Sequence, residues 1–324
     1  MTVGSPAAQA SSMAALSGPA GQPGPGRGCP EGCQDCADCR NARTRPDEFV
    51  YAIGKFDVRF PTLGIEREFQ QREARLADET FATATRGTRT RVVLEANNHL
   101  ARNVCYVFTV GGLPAYVVVP TSVQQAPELL SAIEHMDDPD YWCVLIGRRG
   151  PIASPATCAG IVAPIVACDQ LYSFSMDEWT DSLHARVASA LKTRKVTRDG
   201  FSVSARELFM QITRSIENIG ATQAHRALNY FIMQHPGVFL AVSERAGNQR
   251  LQKIETRLIL GLGMREQVAV ITAFVDIATG VTERLFTRVD VTEEWPFVAD
   301  GPDGTAPPLG LEPFVDNAIL GTVY

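Results

Sequence analysis

The chain has 324 residues, of which 45% are hydrophobic and 20% charged, and carries a net charge of −6. That composition can fill one large core or two modest ones, and its acidic balance offers no basic footprint for nucleic acid. No apolar run is long enough to span a membrane and no secretory signal opens the chain, so a soluble, cytoplasmic protein with reduced thiols is expected.

Residues 1–47 are rich in Gly, Pro, Ala and Ser and cannot bury enough apolar surface to offset their ordering entropy. They are read as a disordered tail that carries a four-cysteine cluster. An α+β domain is expected over 48–298, with folded sequence from Phe49, and a loop-like tail over 299–324. FVYAIGKFDVRF (49–60) has strand composition and ends at Pro61. The charged run 65–81 places Ile65, Phe69, Arg72 and Leu76 near one helical face. Strands at 103–110 and 114–120 flank Gly111-Gly112, a hairpin signal. A helix over 124–136, a strand over 141–147, a Pro- and Gly-rich loop and a strand over 161–174 follow. Residues 177–191 and 203–219 have helical spacing, and a helix starts at Thr222 and closes at Pro236. Beyond it, 253–262, 267–277 and 283–291 alternate apolar and polar residues, as in an antiparallel meander. The pattern implies a mixed or antiparallel sheet with packed helices and a C-terminal β-meander.

The first cysteines, Cys29, Cys33, Cys36 and Cys39, read C-x3-C-x2-C-x2-C. Four thiolates this close suit zinc first and an iron–sulfur cluster second. The first three have the spacing of radical enzymes, but Asp35 stands where that motif carries an aromatic, and no run of βα units follows. Cys143 and Cys168 read as small buried hydrophobes. No G-x-S-x-G elbow, P-loop or G-x-G-x-x-G is present. His99, His135, His184 and His235 read as surface or helix-end residues.

The most unusual stretch is NIGATQAHRALNYF (218–231). From the cap at Thr222, His225, Arg226 and Asn229 share one helical face beside free N–H groups, which suits a peptide or carboxylate. A buried polar network fixing helix to sheet is the alternative. Asp169-Gln170, inside an apolar strand, reads as structural networking.

Taken in order, the residues resemble a known family. The matching pieces are Tyr51-Ala-Ile-Gly54, Arg59-Phe-Pro61, Glu66-Arg-Glu-Phe69, and Leu100-Ala-Arg102 with Cys105 and Phe108. Then come Arg149-Gly-Pro151, Cys158, Pro164-Ile-Val166 with Asp169-Gln170, Gly220-Ala-Thr222, His225 to Tyr230, and Val289 to Phe297. They resemble the homologous domain of unknown function at the C-terminus of the PatA- and PatG-type proteins of cyanobactin biosynthesis. PatG's protease motifs have no counterpart here, so the resemblance implies neither protease nor macrocyclase activity. Trp295 stands where the family usually has Phe.

The resemblance implies a setting, the making of ribosomally synthesised and modified peptides. The leading expectation is a non-catalytic recognition protein that binds a precursor peptide or a maturation enzyme, with no nucleic-acid or membrane partner. A metal-dependent peptide-modifying enzyme using the N-terminal cysteines is the alternative, and a structural homodimer the third. Cys105 and Cys158, at family-matched positions, form a second candidate pair for a metal or a subunit contact, against a reading as core thiols.

Overall fold

The computed structural model describes residues 49–76, 81, 83–194, 196–214, 217–259, 265–299 and 311–314. The four N-terminal cysteines and the expected disordered tail lie outside the described residues. Strand β1 (Phe49–Arg59) shows why these strands read as unbroken apolar runs. Side chains alternate across a strand, so Val50 and Ala52 enter one core while Tyr51 and Ile53 enter another. Both faces are buried, and the alternation disappears from the sequence.

Helices α1 (Leu63–Leu76), α2 (Arg86–Ala96) and α3 (Asn98–Asn103) follow, then β2 (Cys105–Val110) and β3 (Leu113–Pro120). A 3-10 turn leads into α4 (Ala126–Glu134), and β4 (Tyr141–Ile152) and β5 (Pro164–Ser175) complete a closed barrel in the order β1-β2-β3-β5-β4. All its pairings are antiparallel except β3 with β5. This strand order, with a helix between the third and fourth strands, is that of OB-type Greek-key barrels, a likeness of topology alone. Closure gives every barrel strand a neighbour on each side over part of its length.

Gly54 makes closure possible. β1 pairs with β4 as far as Gly54 and with β2 from Lys55 onward. A Cβ at Gly54 would lie 2.2 Å from the Thr109 carbonyl oxygen, so only glycine lets the strand change partners there.

Helix α2 arises where no amphipathic period is visible. Its buried face is Gly87, Thr90, Val93 and Leu94, and two of these are small or polar. Helices α5 (Met176–Arg194), α6 (Arg198–Thr213), α7 (Gln223–Gln234) and α8 (Pro236–Arg245) form a layer beside the barrel. α6 starts earlier than 203 because the Thr197 hydroxyl accepts from the Gly200 N–H.

The helices pack against a second sheet, β6 (Gln249–Ile259), β7 (Gln267–Asp276) and β8 (Thr282–Asp290), which is the expected meander. The short β9 (Phe297–Val298) pairs with β8. The stretch expected to be loop-like also contributes β10 (Glu312–Pro313) against β8. Among the described residues no helix is long and apolar enough to cross a membrane.

Candidate functional site

The start of α7 is built as the spacing of its residues suggests. The Thr222 hydroxyl caps the helix by accepting from the His225 N–H at 3.1 Å. Just before it, Gly220 has φ +74°, and a Cβ there would lie 2.3 Å from the Tyr51 carbonyl oxygen. That close approach lets the Gly220 carbonyl accept from the Tyr51 N–H at 3.0 Å. Asn229, 1% exposed, donates to the Tyr51 carbonyl at 2.8 Å and accepts from the Asn218 amide at 2.6 Å. The helix is thereby bolted to β1.

Arg226 faces the same way and is 3% exposed. Its guanidinium donates to the Val291 carbonyl at 2.9 Å, the Glu294 carbonyl at 3.2 Å and the Glu293 carbonyl, and lies 5.2 Å from the centre of the Phe49 ring. These contacts are those of the buried-network alternative. A guanidinium forked onto carbonyls holds a loop in place rather than facing solvent. Thr222 and the half-buried His225 are the more accessible members of the group.

The loop held by Arg226 presents Glu294 to a second polar cluster. In β5 the register passes from Ile146↔Gln170 to Gly147↔Cys168, so Asp169 is the extra residue of a bulge. Bulges re-aim side chains, and here Asp169 points outward rather than into the core. Arg148 lies 3.9 Å from Asp169 and 3.8 Å from Glu294. The carbonyls displaced by the bulge are satisfied by Gln125, which donates to Cys168 at 2.8 Å and to Asp169 at 3.1 Å.

Burial, and then the facing Asp169 carboxyl, push the Glu294 carboxyl up to about 7, against the pull of Arg148 and Arg226. Between about 4.5 and 7, Glu294 therefore holds its proton in the folded chain where an unfolded glutamate has lost it. Its contribution to stability is complete below about 4.5 and lost as pH rises through about 7. Burial holds His235 down to about 4, which gives the opposite slope between there and 6.5. Because the two slopes overlap, the comparison with Glu294→Gln isolates the glutamate. The variant should gain on the order of 1 kcal/mol relative to the parent between pH 5 and pH 8, after allowance for solvent screening. Urea unfolding at both pH values measures it, and parallel profiles would return Glu294 to an ordinary acidity.

Cys105 and Cys158 are joined in a disulfide, with 5.6 Å between their Cα atoms. This corrects the expectation of reduced thiols, and two sulfurs bonded to each other are not available to a metal. Cys143 and Cys168 are free and buried, and burial pushes both thiols up to about 12. Among the described residues no three His, Cys, Asp or Glu side chains gather in a way that would hold a metal. Sequence reasoning missed Arg148 and Glu294, although Asp169-Gln170 marked the bulge that collects them.

A closed mixed barrel, a helical layer and a meander locked by Arg226 define an α+β domain of barrel and sheet. The family described as PatG Domain matches residues 49–227, and that described as PatG C-terminal matches 195–301. The chain belongs to the PatG domain family, cyanobactin-associated domains of unknown function. It shares its fold with a solved structure titled "PatG Domain of Unknown Function", at 18% identity and a TM-score of 0.59, over 78% of this chain and 97% of that one. A comparison with curated proteins found no match.

Proposed function

We propose that the protein is a non-catalytic recognition component in the making of ribosomally synthesised, modified peptides, and that it takes an extended segment of a precursor peptide or maturation enzyme as an added strand. The observation that carries this reading is β6, an 11-residue strand that pairs with β7 alone among the described residues. Such an edge offers backbone donors and acceptors in strand register, and neighbouring side chains select the sequence. Arg250, Lys253, Glu255 and Arg257, with a bulge at Gln252, guard the edge against indiscriminate pairing.

A cleft of about 460 Å³ opens between α6 and the first residues of β6, with Ser204, Glu207 and Gln211 on the helix side and Leu251 and Phe274 at its apolar base. A peptide lying along β6 would have this cleft beside it. Peptides tiled across a cyanobactin precursor should slow hydrogen exchange of β6 amides. Ser204→Trp, which fills the cleft, should weaken binding by about tenfold or more with little change in melting temperature. Exchange that stays unchanged at saturating peptide would reject strand addition. A dimer seen by size exclusion, with β6 protected before any peptide is added, would assign the edge to a second copy. In the same reading Cys29, Cys33, Cys36 and Cys39 hold a structural zinc, which metal analysis of the full chain checks.

A further inference from the structure

At one mouth of the barrel, between α3 and α4, lies a cleft of about 470 Å³ that no contact described above occupies. Barrel mouths are frequent ligand sites, and this volume suits one or two amino-acid residues. Its floor is Val104, Tyr106, Val118 and Leu129, all part of the barrel core. At the rim, Val123 is 81% exposed and Val119 is also exposed. Two of the wall hydroxyls are already engaged: Tyr106 donates to the Ala101 carbonyl and Thr121 to the Cys168 carbonyl, each at 2.7 Å.

Among the described residues one charged side chain lines the cleft. Arg102 is exposed, one helical turn beyond Asn98 on α3, and no ion pair or hydrogen bond of its side chain exists among the described residues. No described carboxylate lines the cleft, although the chain has 36 acidic residues against 30 basic. A guanidinium with no partner among the described residues, set beside an apolar floor, is complementary to an apolar group that carries a carboxylate. Both features line one space of one or two residues, so a ligand that carries its carboxylate close to its apolar group can meet them together.

We propose that this cleft binds the C-terminal residue of a peptide, with its apolar side chain on the floor and its α-carboxylate forked by Arg102 beside Asn98. The site is separate from the β6 edge and does not depend on strand addition there.

The test uses fluorescein-labelled pentapeptides ending in Leu or Phe, with free or amidated C-termini, titrated against the full chain by fluorescence anisotropy. The free acids should bind at least about tenfold more tightly than the amides, as expected for loss of a charge-assisted pair. Arg102→Gln should remove that difference, weakening the acids and leaving the amides unchanged. Val119→Asp, which places a like charge at the rim, should weaken the acids as well. Both side chains are exposed, so matched melting temperatures will show that the fold is intact. Ser204→Trp should leave this binding unaltered, which separates it from the β6 site. Absence of saturable binding by the free acids, equal affinity for acid and amide, or displacement by octanoate at equal concentration would each overturn the assignment.

Discussion

Arg226→Leu should destabilise the protein by about 3–5 kcal/mol, because it leaves the carbonyls of Val291, Glu293 and Glu294 without their donor and opens a gap beside Phe49. Leucine keeps the helix propensity of α7, so the loss reports the guanidinium and not the helix. Arg226→Lys should recover only part of it, since one ammonium cannot reproduce a planar fork spread over three acceptors. Denaturant unfolding of the three proteins measures the series. A loss below about 1 kcal/mol for the leucine variant would mean that water satisfies those carbonyls, and would favour Arg226 as a ligand-binding residue.

Cys158→Ala should cost about 3–4 kcal/mol under oxidising conditions, because the disulfide spans 53 residues and constrains the unfolded chain accordingly. The bond ties β2 to the β4–β5 connection, within a small core of Val107, Val117, Ala153 and Ala163. Reductant should lower the parent toward the variant and leave the variant unchanged. If the two sulfurs were only buried thiols, the loss would be near 1 kcal/mol and insensitive to reductant. Urea unfolding with and without reductant decides between them.

The elements were largely legible in the sequence, and their assembly was not. Apolar runs and Gly111-Gly112 reveal β1 to β5 because strands buried on both faces must be apolar throughout. Closure of the barrel depends on Gly54 changing strand partners and on the parallel pairing of Val117 with Ile165, and neither leaves a local pattern. α2 leaves no amphipathic signal because Gly87 and Thr90 are buried for their small size, not their hydrophobicity. At the candidate site, the Thr222 cap and the shared face of Arg226 and Asn229 follow from helical spacing. What that face touches does not: Tyr51 is 178 residues from Asn229, and Val291 is 65 from Arg226. The Cys105–Cys158 pairing was hidden for the same reason, since only the folded barrel brings the two residues together.

Tyr51 has its N–H engaged by Gly220 and its carbonyl by Asn229, while Arg226, within both family-matched stretches, reaches carbonyls covered by the second alone. The two stretches are therefore not two independently folding pieces. A nascent chain that has emerged only as far as the barrel holds β1 with its bolts absent, and a chain halted before Val291 withholds from Arg226 the carbonyls of Val291, Glu293 and Glu294. Completion must wait for nearly the whole described body to leave the ribosome, a topology rich in distant contacts and correspondingly slow to fold. Once closed, barrel and meander should unfold as one cooperative unit, since neither can open without stripping donors or acceptors from the other.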